Sequence, residues 1–297
     1  MTLRRLGLAI GTLILIAAAR PPQATFRAGV ELVRLDLLAV RDGRPVVGLT
    51  RDDFEVLDNG VRQGIEHVSF EEVPIDVRLV IDGSRSVAGE KLGHLREAGG
   101  AFLLGLRPGD RAALITFAEQ VRLAAATTDR LWTVQAALEG LRGTGSTSMF
   151  DALYSALMLP ARPDARLLVL LFSDGLDNTS WLSQEDLLQV VRESDAVIYS
   201  VGVRRGGTPA PLPNDALLDR LAEQTGGRLF HADSSRRLPE IFARIVEEMT
   251  ARYLLTFYPS GVEREGWHDL RIRLRNGRGD IIARRGYYVV PAAGRTR

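Results

Sequence analysis

The chain has 297 residues, a formal net charge of +1, 45% hydrophobic residues and 25% charged residues. These values are typical of a globular protein with one large or two modest domains. The nearly neutral charge provides no basic surface for nucleic acid, so nucleic acid is not an expected partner. The absence of cysteine excludes disulfides, thiolate metal ligands and a lipoprotein anchor.

The first nineteen residues have the pattern of a secretory signal peptide. Arg4 and Arg5 form a charged start, and a mainly apolar run that ends in three alanines follows them. The run is shorter than the ~20 residues that a membrane-spanning helix needs. We therefore predict a signal peptide over residues 1–19 and a secreted or periplasmic protein. An uncleaved anchor is the alternative, and membrane contact is expected only in that case.

Residues 26–72 carry β-strand signals. Apolar and polar residues alternate from Val33 to Ala39, which is typical of a half-buried strand. Asn59-Gly60 separates two mixed apolar stretches and is a strong signal for a tight hairpin turn. This part of the chain is therefore predicted to be a β segment.

Residues 75–252 show a different pattern, in which short apolar runs alternate with segments of helical length. Such alternation predicts a doubly wound α/β sheet with buried parallel strands. The apolar runs are 77–81, 112–117, 167–172 and 196–201, with 228–231 as a candidate edge strand, and the helical segments are 89–105, 131–141, 147–159, 184–193, 214–225 and 238–252.

Residues 253–291 return to β signals. Leu270, Ile272 and Leu274 alternate with arginines, and a further strand is predicted from Ile281 to Val290. Each β segment is small for an independent core. We therefore predict that 253–291 pairs with 26–72 in a small β-sandwich-like domain, into which the α/β domain is inserted. Two separate β extensions packed on the α/β domain are the alternative.

Oxygen-bearing side chains follow the ends of two predicted strands. Asp82, Ser84 and Ser86 follow the first strand of the α/β part, Asp174 follows the strand 167–172, and Thr147 precedes a helix. In open α/β sheets, ligands bind outside the carboxyl ends of the strands, where the strand order reverses. If the two strands are neighbours there, both aspartates face one crevice. Five oxygen groups without nitrogen or sulfur suit a hard cation.

These elements resemble the metal-ion-dependent adhesion site of von Willebrand factor type A (vWA) domains, such as integrin I domains, over roughly residues 76–252. The resemblance implies a Rossmann-like, doubly wound, mostly parallel sheet. It implies Mg²⁺, with Mn²⁺ or Ca²⁺ as alternatives, bound by Asp82, Ser84, Ser86, Thr147 and Asp174. The implied function is a non-enzymatic, exported adhesion module whose ion coordinates an Asp or Glu carboxylate of a protein or peptide. The flanking segments also resemble secreted bacterial vWA-related proteins.

Two other functions stay open at this point. One is a structural scaffold in which the metal only stabilises the fold. The other is a metal-dependent hydrolase, which is less favoured because no general base is identifiable beside the ion. Among the remaining polar residues nearby, Asp151 is interpreted as a partner of its helix dipole. Asp177 and Asn178 are interpreted as solvated loop residues, with a contribution to the rim of the site as the alternative.

The last helical segment of the α/β part leads into the next strand without glycine or proline between them. In integrin-type vWA domains the final helix shifts when the metal engages a ligand. The resemblance therefore implies one hypothesis, in which ligand binding and the position of the β segments are linked. A rigid helix that only closes the core is the alternative.

Overall fold

The computed structural model describes residues 32–70, 73–173, 176–203, 214–263 and 265–289. The predicted signal peptide and Asp174 lie outside these ranges. No helix within the described ranges is long and apolar enough to cross a membrane.

The secondary structure of the described residues alternates along the chain much as the sequence predicts. The strands are β1 (Val33–Arg41), β2 (Arg44–Pro45), β3 (Phe54–Asp58), β4 (Val61–Gln63), β5 (Ile65–Ser69), β6 (Ile75–Asp82), β7 (Arg111–Phe117), β8 (Val121–Thr128), β9 (Arg166–Phe172), β10 (Val197–Val203), β11 (Leu229–Ala232), β12 (Tyr253–Phe257), β13 (Gly266–Leu274), β14 (Asp280–Ala283) and β15 (Gly286–Val289). The α-helices are α1 (Glu90–Leu104), α2 (Leu131–Glu139), α3 (Met149–Met158), α4 (Gln184–Glu193), α5 (Asp215–Thr225) and α6 (Leu238–Thr250).

The central sheet has the strand order β11-β10-β9-β6-β7-β8. All neighbouring pairs are parallel except β7 with β8. Side chains of α1, α2 and α6 cover one face of the sheet, and those of α3, α4 and α5 cover the other. The predicted doubly wound α/β fold is therefore confirmed. The strand order reverses at β6, because β7 lies on one side of it and β9 on the other.

The edge strand β8 is the element of the central sheet that the sequence analysis missed. It runs antiparallel to β7 and contains Ala124, Ala125 and Ala126 in its middle. Alanine has little preference for strands, and the register between β7 and β8 is irregular. A pattern based on β-branched and aromatic residues therefore gives no signal over the middle of this strand.

Two antiparallel sheets combine the N-terminal and C-terminal segments. In one, the order is β14-β1-β12-β5, and in the other it is β15-β13-β3-β4. Buried side chains of both sheets, including Leu35, Phe54 and Phe257, form one apolar cluster. These pairings are the ones expected for a small sandwich, although the domain boundaries themselves stay a prediction.

The predicted strand from Ile281 to Val290 is wrong as a single element. Within the described residues it is divided into β14, which pairs with β1, and β15, which pairs with β13 in the other sheet. The break falls at Arg284, whose guanidinium donates to Asp195 Oδ1 at 2.9 Å and to the carbonyl of Arg192 at 3.1 Å. Apolar periodicity does not register a change of sheet, so the sequence alone could not place this break.

A buried ion cluster lies at the start of β6, at the opposite end of that strand from Asp82. Asp76 accepts hydrogen bonds from Arg111 Nη2 at 2.5 Å and from Arg162 Nη2 at 2.9 Å. Burial raises the pKa of Asp76, but the bonds from the two arginines outweigh burial and lower the pKa to about 2. The charged carboxylate is therefore stabilised in the folded state.

We expect this lowered pKa to make the unfolding free energy depend on pH in the acid range. The folded value of about 2 lies below the ordinary value of 3.8, so the contribution is complete above about pH 4 and is lost as the pH falls towards 2. It amounts to about 2–3 kcal/mol of unfolding free energy. Urea titrations at pH 5 and pH 2 measure it, with Asp76→Asn as the control that lacks the titrating group. An equal loss of stability in both proteins contradicts the prediction.

Candidate metal centre

The candidate site begins where β6 and β9 end side by side. These two strands are parallel neighbours, with Ile81 opposite Phe172. The next residues in the chain also meet, because Ser173 Oγ donates a hydrogen bond to Asp82 Oδ2 at 2.8 Å. Asp82 is fully buried. The expectation that the two strands are neighbours at the point of strand reversal is therefore confirmed.

The loop after β6 folds back onto the carboxylate of Asp82. The backbone N–H of Ser84 donates to Asp82 Oδ1 at 2.8 Å. The hydroxyls of Ser84 and Ser86 are hydrogen-bonded to each other at 3.0 Å. Lys91 Nζ donates to the carbonyl of Ser86 at 3.2 Å and so holds the far end of the loop. Three predicted ligand residues are thus joined in one hydrogen-bonded cluster.

Thr147 lies in a second loop that is fastened to the first by two backbone hydrogen bonds. The N–H of Thr144 donates to the carbonyl of Gly83 at 2.7 Å, and the N–H of Arg85 donates to the carbonyl of Gly145 at 3.2 Å. Gly145 has a φ of 81°, a conformation that favours glycine. Thr147 itself is buried. Asp82 ends β6, and Ser84, Ser86 and Thr147 lie in the two adjoining loops, so four of the five predicted ligands lie at the carboxyl end of the sheet. The fifth, Asp174, lies outside the described residues.

Asp177 and Asn178 hold the second loop and the start of α3. Asn178 Oδ1 accepts from the N–H of Thr147 at 2.9 Å, and the N–H of Asn178 donates to the carbonyl of Thr147 at 3.0 Å. Asp177 Oδ2 accepts from the N–H of Phe150 at 2.9 Å. The interpretation of both as merely solvated residues is wrong, because their side chains satisfy backbone groups at a helix start. Their partners lie about thirty positions away, which no local pattern reveals.

Asp151, in the first turn of α3, is bonded to the same loop. Its carboxylate accepts from the N–H of Trp181 at 3.0 Å and from the N–H of Leu182 at 3.0 Å. Its place in the first turn of α3 leaves the predicted interaction with the helix dipole a prediction, and the two hydrogen bonds give it partners that the sequence did not indicate. Residues on both sides of the undescribed Asp174 are thus fixed: Ser173 contacts Asp82, and Asn178 contacts Thr147.

The donor chemistry of the site is entirely oxygen. Within the described ranges, no group of three or more His, Cys, Asp and Glu side chains is placed to hold a metal ion. The described part of the candidate site instead combines one carboxylate, Asp82, with three hydroxyls. Such a set suits a hard cation and leaves much of its charge uncompensated.

The chain matches one protein-family model and is similar to several known proteins. A family model described as "von Willebrand factor type A domain" matches residues 76–244, more than half of the 297-residue chain. A "UPF0353 protein" of Mycolicibacterium paratuberculosis is 26% identical over 202 residues, which are 58% of this chain and 60% of that protein. The chain therefore spans less than two thirds of that relative's length.

Two solved structures share the fold. One is a "von Willebrand factor type A from Catenulispora acidiphila", with a TM-score of 0.53 and 15% identity, covering 85% of this chain and 76% of the other. The second is proximal thread matrix protein 1 from the mussel byssus "with zinc occupied MIDAS motif", with a TM-score of 0.53 and 20% identity, covering 64% of this chain and 49% of the other.

Proposed function

The chain belongs to the von Willebrand factor type A domain family, and on this premise we propose that it is a protein-binding module that holds a divalent cation and coordinates a partner's carboxylate through it. The observation that carries the proposal is the joined cluster of Asp82, Ser84 and Ser86 at the carboxyl end of the central strand. Thr147 and Asp174 complete the proposed ligand set. The module is proposed to be non-enzymatic.

The chemistry of the donor set supports Mg²⁺ as the ion. Carboxylate and hydroxyl oxygens without nitrogen or sulfur suit a hard cation, and Mg²⁺ is usually held by one or two carboxylates while it keeps several waters. Mn²⁺ and Ca²⁺ stay alternatives. The zinc in the similar mussel structure suggests that such a donor set accepts other divalent ions as well.

The protein's own residues would prepare the site for its ligand. The N–H of Ser84 and the hydroxyl of Ser173 fix the orientation of the Asp82 carboxylate, and Asn178 fixes the backbone of Thr147. The bound cation would supply a positively charged coordination position for a carboxylate from outside. Because the hydroxyls add no negative charge, that position stays attractive to an acidic group.

We also infer that the protein works outside the cytoplasm. The support is the charged, apolar and small-residue pattern of residues 1–19 and the absence of cysteine.

One experiment on fractionated host cells tests both proposals. The chain is sought in the exported and cytoplasmic fractions, and its N-terminus is sequenced. The chain is then purified together with its bound partners, in Mg²⁺ or in EDTA. An Asp82→Ala variant is treated in the same way. We expect exported protein that lacks residues 1–19, and partners that are lost both with EDTA and in the variant. Cytoplasmic protein that retains Met1 contradicts export, and partners retained in EDTA by a folded protein favour the scaffold alternative.

A further inference from the structure

The loop at residues 176–182 combines a hydrogen-bonded backbone with two exposed apolar side chains. Trp181 is 97% exposed and Leu176 is 52% exposed. Tryptophan is strongly enriched among the residues that dominate binding at protein interfaces. A side chain of this size in water gains much from contact with an apolar group, so its exposure on a fixed loop indicates a binding role.

The backbone of this loop is held from two sides. Asp151 accepts from the N–H groups of Trp181 and Leu182. The carbonyl of Thr147 accepts from the N–H groups of Asn178 at 3.0 Å and Thr179 at 3.2 Å. Little backbone freedom remains to be lost when a partner binds, and such preorganisation favours affinity.

The loop is also close to the proposed metal ligands. Asn178 contacts the backbone of Thr147 directly, and Trp181 is three positions after Asn178 in the chain. Three residues span at most about 11 Å, so the backbone of Trp181 lies within about 14 Å of Thr147. An extended peptide covers such a distance in about four residues at about 3.3 Å each.

The charged side chains around the site are of both signs, and Arg85 is placed to favour an acidic segment. Arg85, which lies between the two serines in the sequence, is exposed. The carboxylates of Asp151 and Asp177 are already engaged by backbone N–H groups. Glu119, whose side chain lies against Gly145, is an acidic group on the same edge, and it disfavours a second ligand carboxylate on that side.

We infer that the 176–182 loop forms the apolar half of the ligand-binding surface, and that it selects acidic peptide segments with an apolar side chain three or four residues from the metal-bound carboxylate. This inference rests on the proposed metal-mediated function and defines its partner more narrowly. Trp181 is the residue that makes the selection, and Leu176 contributes to the same contact.

Defined peptides provide the test. Fluorescent ten-residue peptides of glycine and serine carry one glutamate and one leucine, placed one to five positions away on either side. A matched series has glutamine instead of leucine. Binding to the full chain is followed by fluorescence anisotropy in Mg²⁺ and in EDTA. The variants are Trp181→Ala and, as a control, Trp132→Ala, which removes a 69% exposed tryptophan near the start of α2, at the opposite edge of the sheet.

We expect the wild-type chain to bind the best leucine peptide at least about 10-fold more tightly than its glutamine counterpart, with the optimum at three or four positions. Trp181→Ala should abolish the preference for leucine over glutamine. The affinity of this variant for Mn²⁺, measured by calorimetry, should stay at the wild-type value. Trp132→Ala should behave as wild type in both measurements, and Leu176→Ser should weaken the preference.

A wild-type chain without a leucine preference, including one that binds neither series, overturns the inference, and so does a preference that survives Trp181→Ala. The proposed function fails in a different way. A leucine preference that persists in EDTA, or Mn²⁺ binding that survives in Asp82→Ala, refutes the metal-mediated function and leaves the Trp181 contact intact.

Discussion

Replacing Asp82 with alanine is expected to lower the affinity for Mg²⁺ and Mn²⁺ at least about 100-fold. Loss of a residue that only hydrogen-bonds to a metal ligand already lowers metal affinity 10- to 100-fold in typical metal sites, and loss of a ligand should lower it more. Asp82 is the described carboxylate at the centre of the proposed ligand set, and both of its oxygens are oriented by hydrogen bonds. The hydroxyls that remain in the variant carry no charge to offset the dehydration of the ion.

Isothermal titration calorimetry with Mg²⁺ and Mn²⁺ measures this effect. Asp82→Asn keeps the shape of the side chain and should also bind weakly, which separates loss of charge from loss of packing. Asp52→Ala is the matched control, because Asp52 is a carboxylate with an 88% exposed side chain in the antiparallel part. Thr147→Ala should reduce affinity less than Asp82→Ala, since a neutral ligand is removed. Wild-type affinity in both the Asp82 and Thr147 variants would falsify the assignment of the site.

Local patterns carried most of the information about the fold. Apolar runs mark β6, β7, β9 and β10 because strands buried on both faces have no polar side to interrupt them. The turn at Asn59-Gly60 is visible in the sequence because both residues adopt positive φ, at 47° and 82°, which few other residues tolerate. These features depend on neighbours in the sequence, so the sequence alone could predict them.

Features that depend on distant partners could not be predicted in the same way. Arg284, which directly follows β14, bonds to groups at the end of α4, and Asn178 is hydrogen-bonded to Thr147 across a gap of thirty-one positions. For the candidate site, residue types and their order predicted which side chains share one edge of the sheet. The hydrogen bonds that orient them, through Ser173 and Asn178, required the folded chain.

The junction between α6 and β12 contains a second polar cluster, which is buried. Glu248 is fully buried and accepts from Tyr199 Oη at 3.0 Å and from Arg228 Nη1 at 2.7 Å. Arg244 Nε also donates to it, at 3.2 Å. Both guanidinium groups lie over the ring of Phe230, at 5.1 and 5.3 Å from its centroid. Burial raises the pKa of Tyr199, so its phenol stays protonated and donates to Glu248.

This cluster bears on whether α6 moves. Glu248 belongs to α6, whereas Tyr199 is in β10 and Arg228 directly precedes β11. A shift of the helix along the sheet would break the hydrogen bonds between them. Two residues beyond the end of α6, Arg252 is fully buried and donates to the carbonyls of Asp36 at 3.1 Å and Gly226 at 3.0 Å. Any link between ligand binding and the antiparallel sheets must therefore overcome these contacts.

Replacing Glu248 with alanine is accordingly expected to reduce the unfolding free energy by about 3 kcal/mol. Removing one partner of a buried ion pair typically costs 3–5 kcal/mol. The lower end applies because Arg228 and Arg244 keep 30% and 40% of their side chains exposed and can be hydrated. In thermal denaturation this corresponds to a fall in Tm of roughly 6–12 °C. Glu247→Ala is the matched control, since Glu247 is an exposed glutamate in the same helical turn.

Hydrogen exchange over residues 238–258 shows whether the same contact holds the helix in place. If the bonds of Glu248 restrain α6, Glu248→Ala should speed exchange in this segment, while Glu247→Ala leaves it at the wild-type rate. Mg²⁺ and the best-binding leucine peptide are then added to the wild-type chain at saturating concentrations. They should change the protection of residues 238–258 only if ligand binding breaks the hydrogen bonds of Glu248. Equal stability and equal exchange in the two glutamate variants would show that packing of Phe242, Ile245 and Met249, which are fully buried, holds the helix without help from the ion pairs.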